Sequence, residues 1–126
     1  MSEQPLILVV DDTALVRFAT ACAVKAFGYE IKEAPNGEAA LQMLATENYD
    51  AIFMDLRMPR MSGLECAKKI REAEAKSGKR TPIIALTSES DAEIQRHCLD
   101  AGMDAFLHKS CSQNDLKTTL ESLLNH

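Results

Sequence analysis

The chain is 126 residues long, with 19 acidic against 14 basic side chains and a formal net charge of -5. That length suits one domain able to bury most of its apolar surface without staples, and the acidic balance argues against nonspecific nucleic-acid binding, which runs on excess Lys and Arg. No apolar stretch approaches the roughly 18 residues of a membrane span, and Met1-Ser-Glu-Gln-Pro5 lacks the basic flank of a secretion signal.

In chain order, strand candidates Leu6 to Val10, Glu30 to Ala34, Ala51 to Met54, Pro82 to Leu86 and Ala105 to His108 alternate with helical windows. The windows cover residues 14–27, 37–47, 63–76, 91–101 and 113–124. Three helices carry the start signal in which a serine oxygen accepts a free backbone N–H and an acid reaches back: Ser62 with Glu65, Ser90 with Glu93, and Ser112 with Asp115. Gly28 and Gly102 supply the left-handed residue that ends a helix, and Asn36-Gly37 marks a tight turn. Five βα units with short connections predict an α/β fold, a doubly wound parallel sheet covered by helices on both faces. The expected strand order is 2-1-3-4-5, the flavodoxin-like (βα)5 arrangement. Cys22, Cys66, Cys98 and Cys111 show neither a C-x-x-C pair nor metal spacing. They read as reduced, mostly buried small hydrophobes, which places the protein in the cytoplasm.

Two of the apolar runs end in carboxylate. Leu6-Ile-Leu-Val-Val10 is followed by Asp11 and Asp12, and Ala51-Ile-Phe-Met54 by Asp55. Strand order 2-1-3-4-5 brings these three acids to one carboxyl edge, where open α/β sheets bind ligands. Two like charges at about 4 Å repel by roughly 4 kcal/mol at an effective dielectric near 20. A hard cation such as Mg²⁺ resolves that repulsion. Thr87 ends the fourth strand and Lys109 the fifth, on the same edge. A hydroxyl, an ammonium, a cation and a carboxylate nucleophile suffice for phosphoryl transfer to an acyl phosphate.

With these residues in order, the chain resembles the receiver domain of response regulators in two-component and phosphorelay signalling, chemotaxis regulators included, over residues 5 to 124. The resemblance rests on the Asp11-Asp12 pair, Met54-Asp55-x-Arg57-Met58-Pro59, Thr87 and Lys109. It implies that Asp55 accepts a phosphoryl group from a phosphohistidine on a histidine kinase or histidine phosphotransfer protein. By the same resemblance Asp12, Asp55 and the Arg57 backbone carbonyl ligate Mg²⁺ (or Mn²⁺), and Asp11 acts through water. Lys109 bridges to Asp55 or its phosphate, and Thr87 turns toward the phosphoryl group. Phe106 follows it inward as a switch that changes the surface offered to a downstream protein. Such a chain is a phosphoacceptor rather than an enzyme with turnover, and has no direct nucleic-acid or membrane partner.

The family usually carries proline after the lysine, with a cis peptide; here that position is Ser110. A cis bond without proline costs roughly 3–4 kcal/mol. Either the surroundings carry that strain, or the bond is trans and the loop before Ser112 is rearranged. The expected organisation is one receiver domain over residues 1–126 with no output domain in this sequence. Both a stand-alone regulator and a segment of a hybrid kinase fit it.

Other classes fit less well. A haloacid-dehalogenase-like phosphatase typically has a second Asp two positions after its nucleophile, where this chain has Arg57. A flavin carrier of the same fold would find its phosphate repelled by Asp11 and Asp12. His97, His108 and His126 lack catalytic or metal spacing and read as surface residues, and Met54, Met58 and Met61 as packing. In the first helix, Val16, Thr20, Ala23, Val24 and Phe27 form an inward stripe, and Leu15, Phe18, Cys22 and Ala26 a second apolar one. The second is either ordinary exposed apolar surface or a docking patch beside the acids, with Leu15, Phe18 and Cys22 as its contacts.

Overall fold

Strands β1 (Leu6–Val10), β2 (Glu30–Ala34), β3 (Ala51–Asp55), β4 (Ile83–Thr87) and β5 (Ala105–His108) pair in parallel in the order β2-β1-β3-β4-β5. Helices α1 (Ala14–Ala26), α2 (Gly37–Thr46), α3 (Gly63–Ser77), α4 (Ala92–Asp100) and α5 (Gln113–Leu124) follow the strands in turn. The structure, a computed structural model, describes residues 4–89 and 91–124. Among them no helix is long and apolar enough to cross a membrane.

Alternation along the strands divides the core into two layers. Ile7, Val9, Phe53, Ile84 and Leu86 pack with Ala23 and Val24 of α1 and Leu116 and Leu120 of α5. Leu8, Val10, Ile52, Met54, Ile83 and Ala85 pack with Ala40 of α2, Cys66, Ala67 and Ile70 of α3, and Cys98 of α4. Every residue of β3 and β4 is buried, which is why these strands read as unbroken apolar runs.

The strand ends differ from expectation by one residue. β3 runs on to Asp55 and β4 spans Ile83–Thr87, because the ladder continues through the Asp55–Leu86 and Thr87–His108 pairs. Asp55 and Thr87 are therefore held by the sheet itself rather than by loops.

The Ser62–Glu65 capping box is present, with Glu65 N–H donating to Ser62 Oγ at 3.2 Å. Asp115 N–H likewise donates to Ser112 Oγ at 3.0 Å. At α4 the expectation fails. Asp91 is the N-cap and its Oδ1 accepts from Ile94 N–H at 2.8 Å, while Ser90 lies outside the described residues. A carboxylate accepts this bond as well as a hydroxyl does and adds a favourable charge at the helix N-terminus. Asn36 is an N-cap rather than a turn corner, accepting from Ala39 N–H at 2.7 Å. Gly28 and Gly102 take the expected positive φ, 102° and 95°.

All four cysteines are free, but only Cys66 and Cys98 are buried; Cys111 is half-buried and Cys22 exposed. The expectation of mostly buried thiols thus holds for two of them. Burial pushes the Cys66 thiol up to about 11, so it is inert. Met54 and Met58 are buried packing residues, as expected.

Candidate functional site

Asp11, Asp12 and Asp55 meet where β1 and β3 end side by side, and one oxygen of each lies within 4.8 Å of the others. Asp11 and Asp55 are buried, while Asp12 faces solvent. Lys109 reaches in from the end of β5, with Nζ 3.1 Å from Asp55 Oδ1 and 3.2 Å from Asp11 Oδ2. Thr87 is buried at the end of β4, and its Oγ1 accepts from Glu89 N–H at 3.1 Å, leaving the hydroxyl proton to donate.

Lys109 takes this position with a trans peptide to Ser110; there is no cis bond among the described residues. Of the two alternatives the sequence left open for this bond, trans is the one observed. Lys109 N–H donates to the Thr87 carbonyl at 2.8 Å, continuing the β4–β5 ladder one residue past the strand. Cys111 N–H then donates to the His108 carbonyl at 2.9 Å, closing a turn before Ser112.

The electrostatics follow from this crowding. Burial first, and then the Asp11 charge, push Asp55 up to about 6, against the pull of Lys109 and the Arg57 N–H. Burial alone would lower the Lys109 ammonium. The Asp55 hydrogen bond and the charges of Asp55 and Asp11 outweigh it and raise Lys109 above the ordinary lysine value. Three carboxylates face one ammonium, so two negative charges are left uncompensated at hard oxygen donors. That donor set fits a divalent cation of the Mg²⁺ type.

Asp11 already has a partner on each oxygen, since Thr13 N–H donates to Oδ1 at 2.9 Å and Lys109 faces Oδ2. Arg57 N–H lies 3.4 Å from Asp55 Oδ1, so the loop after β3 folds back over the acid. The Arg57 guanidinium makes a two-pronged pair with Glu89, both bonds at 2.7 Å. That pair joins the loop after β3 to the loop after β4. Phe106 is half-buried against the layer that holds α4.

Three supports escaped the sequence reading. Arg17 donates to the Asp11 carbonyl at 2.8 Å and pairs with Glu33, tying α1 to the acidic turn. Gly63 packs directly against the Asp55 backbone. A glycine as the first helical residue after a serine cap was the available hint, since glycine is a poor helix former. His108, expected at the surface, is half-buried with both ring nitrogens hydrogen-bonded. His97 is exposed as expected, and His126 lies outside the described residues.

On α1 the division of faces is as expected. Ala23 and Val24 are buried, Val16, Thr20 and Phe27 half-buried, and Leu15, Phe18, Cys22 and Ala26 exposed. Leu15 and Phe18 are 79% and 60% exposed.

Residues 7–121 match the family model described as the response regulator receiver domain. The chain belongs to the response-regulator receiver family. Among curated relatives of this receiver domain, the gliding motility regulatory protein of Myxococcus xanthus is 37% identical over 82% of the chain. The chain spans only 12–13% of the length of the first such relatives. Among solved structures, chemotaxis protein CheY4 of Vibrio cholerae has a TM-score of 0.88 at 30% identity, covering 96% of this chain and 99% of that one. The receiver domain of sensor histidine kinase PA1611 from Pseudomonas aeruginosa PAO1 also has a TM-score of 0.88 at 30% identity, covering 98% and 99%. That protein carries a magnesium ion coordinated in its active-site cleft. The doubly wound order 2-1-3-4-5 is thus that of a receiver domain of two-component signalling, a class of signalling phosphoacceptors that pair with histidine kinases.

Proposed function

We propose that this receiver domain takes a phosphoryl group onto Asp55 from a phosphohistidine of a histidine kinase or histidine phosphotransfer protein. An Asp55 carboxylate oxygen attacks phosphorus as the phosphorus–nitrogen bond breaks, and the histidine nitrogen keeps the electron pair. The product is an acyl phosphate. Lys109 neutralises the transferring oxygens, and the Thr87 hydroxyl donates to one of them. A Mg²⁺ or Mn²⁺ ion held by Asp12, Asp55 and the Arg57 carbonyl, with Asp11 one shell out, would supply further charge neutralisation. The observation that carries this reading is a buried carboxylate, Asp55, 3.1 Å from a lysine ammonium and beside two more carboxylates.

The phosphorylated state then turns Thr87 and the half-buried Phe106 inward and alters the surface offered to a downstream protein. Slow self-catalysed hydrolysis resets it. The chain acts as one receiver unit in the cytoplasm, a compartment its four free thiols favour. Its net charge of -5 favours protein partners over nucleic acid. The exposed Leu15–Phe18–Cys22 stripe beside Asp12 serves as the docking face for the phosphohistidine donor.

Intact mass after incubation with acetyl phosphate and Mg²⁺ tests the core of this reading. One added phosphate is expected on the wild type and none on Asp55→Asn. A wild type that gains no mass, or an Asp55→Asn that labels equally, overturns it.

A further inference from the structure

His108 closes β5 directly beside Thr87 in the sheet register, immediately before Lys109. Its ring makes three contacts. Nδ1 lies 3.0 Å from the Ser110 backbone nitrogen and 2.6 Å from Ser110 Oγ, and Nε2 lies 3.0 Å from the Ser88 carbonyl oxygen. A backbone N–H can only donate and a carbonyl oxygen can only accept. Nδ1 must therefore present its lone pair to Ser110, and the ring proton sits on Nε2, facing Ser88. All three contacts are satisfied by the neutral Nε2–H form and by no other.

These bonds span two loops. Ser88 follows Thr87, and Glu89, next along, donates its N–H to Thr87 Oγ1 at 3.1 Å. Ser110 follows Lys109, whose N–H is bonded to the Thr87 carbonyl. The ring thus braces, from the side-chain level, the same two segments that the Lys109–Thr87 backbone bond joins. A proline at position 110 would have neither the N–H nor the hydroxyl that His108 uses, so the histidine and the serine form one device.

We propose that His108 is a positioning residue: its ring ties the Thr87–Glu89 segment to the Lys109–Ser110 segment, so that the two phosphoryl-binding side chains are set as one unit. This rests on the phosphoacceptor reading above. The Nε2–H bond to Ser88 is the link between the loops, whereas the Nδ1 contacts stay within one loop and only aim the ring.

That division makes the test specific. Glutamine can place an N–H near the Nε2 position, and asparagine can place an oxygen near the Nδ1 position. Initial rates of Asp55 labelling by acetyl phosphate in saturating Mg²⁺ are measured across donor concentrations for the full chain and its His108 variants. His108→Phe is expected to label about threefold to tenfold more slowly at saturation, the size of one lost neutral hydrogen bond. Half-saturation should hardly move, because Thr87 and Lys109 meet the phosphoryl oxygens most strongly in the transition state. His108→Gln should recover most of the rate and His108→Asn should not. In parallel, ring ¹⁵N shifts of the wild type should show a protonated Nε2 and an unprotonated Nδ1.

A Phe variant as fast as wild type, equal recovery by Asn and Gln, or a ring protonated on Nδ1 overturns the proposal. A wild type that does not label at Asp55 overturns the phosphoacceptor reading instead. The ring shifts would then still decide whether the brace exists.

Discussion

Gly63 packs so closely on Asp55 that a Cβ at position 63 would lie 2.2 Å from the Asp55 carbonyl oxygen and 2.9 Å from the Leu56 Cα. Both neighbours are backbone and cannot step aside as a side chain could. The Gly63 N–H also donates to the Leu56 carbonyl at 2.9 Å, so α3 starts against the end of β3. Gly63→Ala should therefore move the phosphoacceptor strand or the helix start, costing about 1–3 kcal/mol as overpacking does. Urea unfolding at pH 7 reads the loss, and acetyl-phosphate labelling should slow with it. Wild-type stability in the alanine variant would mean that this contact relaxes without cost.

Asp55 links stability to pH with an unusual sign. Its folded value is raised from 3.8 to about 6, burial being the largest cause. Between those values the folded chain holds a proton that the unfolded chain has released. Stability is thus highest at low pH with respect to this group and falls as pH rises through about 4 to 6. At 1.36 kcal/mol per unit the penalty is at most about 3 kcal/mol in metal-free protein. Metal-free Asp55→Asn should be the more stable form at pH 7, with the advantage gone near pH 4. Saturating Mg²⁺ should narrow or reverse the gap by binding only the folded wild type. A gap that does not change with pH would remove Asp55 as its source.

Divalent metal affinity should depend on Asp12 and Asp55 more than on Asp11. Both Asp11 oxygens are engaged, by Thr13 N–H and Lys109. Asp12 is exposed and shares the acidic cluster, so it is free to turn an oxygen to an ion. Mg²⁺ titrations of Asp11→Ala and Asp12→Ala should show the larger loss for Asp12. Equal affinity in Asp12→Ala and wild type would take Asp12 out of the metal site.

The Arg57–Glu89 pair should lengthen phosphate lifetime by hindering the attacking water at the mouth of the site. Arg57 is 75% exposed and Glu89 30% along the side chain, and exposed pairs contribute only about 0–1 kcal/mol. The Arg57 hydrogen bond and charge hold Glu89 below its ordinary value, so the pair persists across neutral pH. Loss of autophosphorylated mass over time should be faster in the Arg57→Ala, Glu89→Ala double variant, by no more than about tenfold. Identical decay would exclude these side chains from control of the water.

Phe18→Ala should separate protein donors from small-molecule donors. Truncating an exposed aromatic anchor at an interface typically costs 2 kcal/mol or more. Transfer from a phosphorylated histidine phosphotransfer protein should slow by at least about tenfold, while acetyl-phosphate labelling and Mg²⁺ affinity stay near wild type. Equal slowing with both donors would make Phe18 a structural residue of α1.

The sheet order, the acidic edge and most helix starts were legible from the chain because their signals are local. An apolar run ending in carboxylate, a serine three residues before an acid, and a glycine after a helix each act within a few residues. The helical spacing of α1 also separated its inward stripe from the exposed one that holds Phe18. What the sequence left open was decided by bonds between distant segments. Lys109 reaches Asp55 with a trans peptide to Ser110, and its own N–H continues the ladder with Thr87. His108 finds Ser88 twenty residues away, and Gly63 meets Asp55 only once α3 packs under β3. No periodicity encodes such contacts, since each requires two segments already folded to face one another.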